Sequence, residues 1–218
     1  VCMSGENLVT PRVKEMFLRH GIRRSFAAGE VLFEKGTPAQ RVGFIASGQA
    51  RTYCLNPAGG EIVLFYIGQD NLICSEALMD HPSVIVSVSA ITPLELYTLP
   101  PNEFLRLWQA QGLPLQELFA HFVRRITLLS DYICCTHFLE DDKRVAYFLH
   151  SCYASGGPVI AYTHEQIAAI TGMSRVSVTR ILKRFREAGI LSQEYRRIRI
   201  LDDGKLSEVF HSLGYFLD

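Results

Sequence analysis

The stretch Thr163–Leu191, THEQIAAITGMSRVSVTRILKRFREAGIL, decides how the rest of the chain is read. Thr163 stands where an N-cap is needed, and Gln166 three residues later completes a capping box. Ile167, Ala168 and Ile170 give the first helix an apolar face, and Gly172 supplies the left-handed residue of a tight helix-to-helix turn. Ser174 caps a second helix, in which Val178, Ile181, Leu182 and Phe185 recur at helical spacing. Gly189 closes it. The remaining faces carry Arg175, Ser177, Thr179, Arg180, Lys183 and Arg184. A polar, arginine-bearing second helix behind a tight turn is the architecture that reads a DNA major groove.

Charge supports the same reading. From Arg175 to Arg199 there are eight Arg or Lys residues against Glu187 and Glu194, a local net +6 in a chain whose total is zero. A cationic patch on a neutral protein is the footprint of a phosphate-contacting surface. An ordinary pair of core helices shows the same caps and periodicity, but its exposed face normally mixes Glu with Lys.

At 218 residues the chain has room for two domains, and its 48% apolar and 20% charged content is that of a globular protein. No apolar run approaches the ~20 residues of a membrane helix. The opening VCMSGENLV lacks a basic segment followed by an apolar core. A cytoplasmic location without a membrane partner is therefore expected. The cysteines at 2, 54, 74, 134, 135 and 152 are too irregular for a disulfide framework, and most are expected as small buried hydrophobes. Cys134 and Cys135 are helix neighbours whose side chains diverge by ~100°, so they suit packing better than a mutual disulfide. No nucleophile–base motif, metal-ligand spacing or phosphate-cradling glycine loop is present, so no catalytic residue and no metal site is expected. The chain is not expected to be an enzyme.

In chain order, a short helix is expected at Pro11–His20. From Gly29 the period becomes two, with strand candidates 30–33, 43–45, 50–54, 61–66, 84–90 and 94–98. Turn-rich segments and Gly36, Gly48 and Gly68 separate them, which suggests a closed β-roll. A helix near 102–111 precedes a long one whose first turn accommodates Pro114. Along the latter, Leu115, Leu118, Phe119, Phe122, Ile126, Leu129, Ile133 and His137 form a stripe over more than three heptads, the seam of a homodimer. Glu140–Asp142 marks a hinge before a helix at 143–153 and a strand at 159–161. After the helix-turn-helix, 191–193 and 197–201 predict a hairpin wing with Glu194, Tyr195 and Arg196 at its tip, then a terminal helix at 205–216.

This order of parts, with GEVLFEKG and RVGFIASGQA in the roll, resembles the CRP/FNR family of bacterial transcription regulators over nearly the whole chain. The resemblance implies an α+β fold: an N-terminal β-roll of the cyclic-nucleotide-binding, jelly-roll kind, a long dimerisation helix and a C-terminal winged helix-turn-helix. The corresponding segments are 1–112, 113–139 and 140–218. It further implies a homodimer on two-fold symmetric, double-stranded promoter sites, contact with RNA polymerase and control by a small-molecule effector. Base-reading positions fall on Arg175, Val176, Thr179 and Arg180; Thr163, His164, Ser174 and Ser177 match phosphate-touching positions. Arg180 matches a guanine reader, because a guanidinium bonds O6 and N7 together. Val176 departs from the glutamate common in the family; it cannot accept a hydrogen bond but packs on a thymine methyl, so A·T is expected there.

The sensing end departs further. Where cyclic-nucleotide-binding members carry Gly-Glu and then Arg-Ser, this chain has Cys74-Ser75 and Val84-Ile85-Val86, with no Lys or Arg between Arg51 and Arg106. Leu129 replaces the hydroxyl residue that contacts adenine. A buried phosphate would lack its charge-assisted hydrogen bonds, so cAMP is not expected. Neither is an iron–sulfur cluster, which needs several closely spaced cysteines where only Cys2 stands. Haem stays open: Cys74 matches a ligand position of the family's carbon monoxide sensor, although Glu76 replaces that protein's histidine and the nearby His81 suits a surface turn. Otherwise an apolar pocket is expected from Phe65, Tyr66, Ile73, Cys74, Val84, Val86, Leu129, Tyr132 and Ile133. The family's dehalorespiration regulators take chlorinated phenols in such a place, yet a phenolate wants a cation and the 52–105 stretch offers none. The alternatives are a haem-based gas or redox sensor of the same family and, in a different class, a ligand-binding module that regulates an enzyme.

Overall fold

A computed structural model describes residues 2–3, 9–55, 60–137, 140–194 and 197–211. The chain divides into two compact units, Glu6–Ile126 and Val1–Gly5 with Thr127–Asp218. After a two-residue strand β1 (Cys2–Met3), helix α1 (Pro11–His20) takes the expected bounds. Pro11 stands in its first turn, and Val13, Met16 and Phe17 are its buried face.

The roll then follows: β2 (Ile22–Phe26), β3 (Val31–Phe33), β4 (Val42–Ser47), β5 (Ala50–Leu55), β6 (Glu61–Ile67), β7 (Asn71–Ile73), a 3-10 turn at Ser75–Leu78, β8 (Ser87–Ala90) and β9 (Leu94–Leu99). One sheet runs β2-β9-β4-β7; in the other, β6-β5-β8-β3 are neighbours. Ile22 pairs with Thr98 and Val42 with Leu99, so β9 lies between strands that come much earlier in the chain. The β4-to-β5 reversal needs Gly48: its φ is +89°, and a Cβ there would lie 2.4 Å from the Pro93 carbonyl oxygen.

Three strands of the roll differ from expectation. Ile22–Phe26 has no alternating pattern and is almost wholly exposed, so backbone pairing to β9 makes it a strand. Asn71–Ile73 is three residues long and buried throughout, too short to show a period. The segment expected as strand from Val84 becomes strand only at Ser87.

Helix α2 (Pro101–Ala110) packs the roll core: Phe17 stacks on Phe44 at 5.5 Å, and Phe104 lies 5.8 Å from Phe17 and 5.4 Å from Trp108. Helix α3 spans Leu115–His137 and carries the boundary between the two units. Its apolar residues fall on more than one face. Leu118 is half-buried and packs against the roll core, and Phe122 is half-buried too. Phe119, Val123, Ile126 and Ile133 are more than half exposed. Leu118 and Phe122 thus lie on the half-buried side of α3, and Val123 shares the exposed side with Phe119, Ile126 and Ile133.

The other unit continues with α4 (Asp141–Gly156), β10 (Val159–Ile160), α5 (His164–Thr171), α6 (Arg175–Glu187), β11 (Leu191–Glu194), β12 (Arg197–Ile200) and α7 (Asp203–His211). Strands β10-β12-β11 form the sheet of the wing. The expected wing tip at Tyr195–Arg196 and the end of the terminal helix beyond His211 lie outside the described residues, as do the side chains of Tyr132, Cys134 and Cys135.

Candidate nucleic-acid interface and sensing end

The interface begins with caps. Thr163 accepts a bond from the Gln166 amide while Gln166 accepts from the Thr163 amide at 2.9 Å, so two orphan donors at the start of α5 are satisfied reciprocally. Gly172 ends α5 at φ 68°. Ser174 Oγ accepts from the Ser177 amide at 3.0 Å and begins α6. Each such cap is worth ~1 kcal/mol. Burial of Val178, Ile181, Leu182 and Phe185 fixes which face of α6 looks outward.

That outward face holds Arg175, Val176, Thr179 and Arg180, all exposed, with Val176 at 79%. Arg180 has no ion-pair partner among the described residues, so its five donors stay available. Arg175 Nε lies 4.0 Å from Glu165, an exposed pair of the weakest kind. Arg184, by contrast, is committed to an ion pair with Asp142, and the Arg144 guanidinium donates to the Thr171 carbonyl at 3.1 Å. Both bonds hold α4 against the helix pair.

His164 behaves differently from a free phosphate contact. Its Nδ1 lies 2.9 Å from Thr179 Oγ1, and its Nε2 lies 3.2 Å from Gln193 Nε2 on β11. Burial, with Arg175 adding to it, lowers its pKa below the ordinary 6.5. Both ring nitrogens are thus engaged within the protein.

Of the nine expected pocket residues, six belong to the roll unit and Leu129, Tyr132 and Ile133 to the other, and the Tyr132 side chain lies outside the described residues. Phe65 and Tyr66 are consecutive on β6 and so face opposite sides of the sheet. Val84 is 2% exposed and, like Cys74, belongs to the roll core with Met16 and Phe17. Ile73 is buried against Gly43, and Val86 is half-buried. Leu129 and Ile133 are 39% and 55% exposed.

The residue that sequence reasoning missed is Arg125 on α3. Its guanidinium donates to the Leu72 carbonyl at 2.6 Å and lies 5.9 Å above the Phe65 ring. Its Nε is shut off from solvent and has no hydrogen-bond partner among the described residues. Burial lowers its pKa to about 10, while Glu76 and Cys74 nearby act in the opposite direction. Burial likewise pushes the Cys74 thiol up to about 12. Cys74 also sits at φ 55°, an uncommon conformation for a residue with a side chain. The absence of cations from 52–105 is real, but a cation reaches the roll from another element. The only sequence signal was an arginine one helical turn from Phe122 and Leu129, beside a second arginine at 124.

The fold is that of a DNA-binding regulator: a roll, a long helix and a winged helix-turn-helix whose second helix turns Arg175, Val176, Thr179 and Arg180 outward. A cyclic nucleotide-binding domain matches residues 23–111, and a Crp-like helix-turn-helix domain matches 143–209. The chain is 27% identical to the cyclic AMP receptor protein of Thermus thermophilus, over 94% of this chain and 96% of that one. Among solved structures, CooA from Carboxydothermus hydrogenoformans, a mutant, aligns with TM-score 0.74 and 20% identity over 88% of each chain. FixK2 from Bradyrhizobium japonicum aligns with TM-score 0.70 and 20% identity, over 87% of this chain and 96% of that one. The chain belongs to the CRP/FNR family of transcription regulators.

Proposed function

We propose that the protein acts as a cytoplasmic homodimer on a pseudo-palindromic promoter site and meets RNA polymerase there. The observation that carries this is the free outward face of α6, with Arg175, Val176, Thr179 and Arg180 exposed and Arg180 unpaired among the described residues. Two such helices reach successive major grooves when the two-fold sets them about one helical turn, ~34 Å, apart. The exposed Phe119, Val123, Ile126 and Ile133 supply the apolar surface for pairing two copies of α3. A mobility-shift assay on a duplex selected from random DNA tests the reading. A discrete complex of two chains per duplex is expected, and binding indifferent to sequence overturns it.

The effector in this reading is not cAMP. Cys74, Ser75, Val84 and Val86 offer no bidentate cation where a cyclic phosphate would lie. Arg125 favours an apolar molecule that carries one acidic group, since its Nε holds an unused donor beside Phe65. Calorimetry with cAMP should give no binding heat; saturable cAMP binding would sink this part. Haem is the second reading, favoured by the strained Cys74 backbone. A neutral buried thiol is a poor ligand, and an absorption spectrum of freshly purified protein without a Soret band would remove haem.

A further inference from the structure

Thr179 lies on the reading face, and its hydroxyl has one proton. That proton goes to the Arg175 carbonyl, 2.9 Å away. The contact between Thr179 Oγ1 and His164 Nδ1 must therefore run from the ring: Nδ1–H donates and Oγ1 accepts. A neutral imidazole protonated at Nδ1 has a lone pair on Nε2, and the Gln193 side-chain amide is placed to donate to it at 3.2 Å. The result is one directed chain from the wing to the recognition helix: Gln193 to His164 to Thr179 to the Arg175 carbonyl. With Oγ1 turned back on the helix and held by α5, the group left for Thr179 to offer outward is its methyl. Val176, three residues earlier on the same helical face and 79% exposed, offers two more.

We propose that His164 is a specificity-setting residue: by engaging the Thr179 hydroxyl it turns the Val176–Thr179 face into a methyl surface matched to the C5-methyl groups of thymine. This rests on α6 reading DNA, and it extends that role to a residue on a different helix. Thymine is the one base that presents a methyl in the major groove. Recognition of consecutive or near-consecutive thymines follows, with Arg180 reading guanine beside them.

The test uses the full chain and a duplex selected from random DNA, with each thymine of the half-site replaced in turn by deoxyuridine. The replacement removes one methyl and leaves every hydrogen-bonding group in place. Wild-type protein should bind roughly threefold to fivefold more weakly at each contacted thymine, the scale of one buried methyl group. His164→Phe keeps a ring but frees the hydroxyl. It should lose the deoxyuridine penalty at the Thr179 position and keep it at the Val176 position. Thr179→Ser, which removes the methyl and keeps the hydroxyl, should lose the deoxyuridine penalty at the Thr179 position and keep it at the Val176 position. Indifference to every deoxyuridine overturns the proposal, as does a full penalty at the Thr179 position in Thr179→Ser, because the methyl would then not be what meets the thymine. Failure of any duplex to be selected would instead overturn the DNA-reading role on which it rests.

Discussion

Arg180 and Arg184 are four residues apart on one helix, yet only Arg180 keeps its guanidinium free, because Asp142 occupies Arg184. Replacing Arg180 by Lys keeps the charge and removes the two-pronged geometry, so the loss should fall on specific binding. We expect ~1–3 kcal/mol weaker binding to the selected site, with little change on unrelated DNA. Competition titrations against both duplexes measure the difference. Cys74 gives a second expectation at this scale. Its folded pKa of about 12 lies above that of an unfolded thiol, so the native state resists ionisation. The stabilisation is whole below the unfolded pKa and is lost as pH rises from there toward 12. Native protein at pH 8 should therefore alkylate at Cys74 far more slowly than urea-unfolded protein. Mass spectrometry of the Cys74 peptide reads this, and equal rates would contradict the burial argument. Which residues of α6 face outward was legible because caps and periodicity fix a helix face from sequence alone. Arg125 was not, since whether an arginine on an apolar helix is buried depends on which strand lies beneath it.

At the scale of elements, periodicity carried α1 and the helix-turn-helix to within a residue or two. It failed for β2, whose Ile22, Arg23, Arg24 and Ser25 are all exposed. A strand without a buried face has no pattern to read; its existence is decided by the partner that supplies hydrogen bonds. The α3 stripe shows the converse limit. Leu118 and Val123 are both apolar, and only packing against the roll core separates the half-buried one from the exposed one. If Phe119, Val123, Ile126 and Ile133 form the dimer seam, a charge at its centre must be desolvated without a partner. We expect Ile126→Asp to weaken dimerisation by at least tenfold without loss of helix content. Sedimentation equilibrium and circular dichroism check the two halves of that statement.

At the scale of the molecule, a formal net charge of zero coexists with a net +6 between Arg175 and Arg199. Not all of that charge is available to DNA. Arg184 is paired with Asp142, Lys183 lies 3.8 Å from Glu187, and Arg175 lies at the limit of pairing with Glu165. Affinity should fall as salt rises, with a log–log slope near ~0.9 per phosphate neutralised. Because the pairs hold back some of the cations, we expect fewer than six phosphates per protomer from that slope. A salt titration of the selected duplex measures it, and a slope of ~11 or more for the dimer, six phosphates per protomer, would show that the ion pairs open on DNA.

The pairing of Ile22 with Thr98 has a consequence for how the chain acquires its structure. During synthesis the second strand waits for its neighbour until more than seventy further residues have been made, and its exposed backbone edge stays unpaired meanwhile. The helix-turn-helix has no such wait, since α5 and α6 touch through residues close in sequence. The sensing half is made first, but closure of long loops gives it the slower kinetics. Interrupted translation or a weakened β9 should therefore leave an aggregation-prone roll, while the later-made half can still fold quickly.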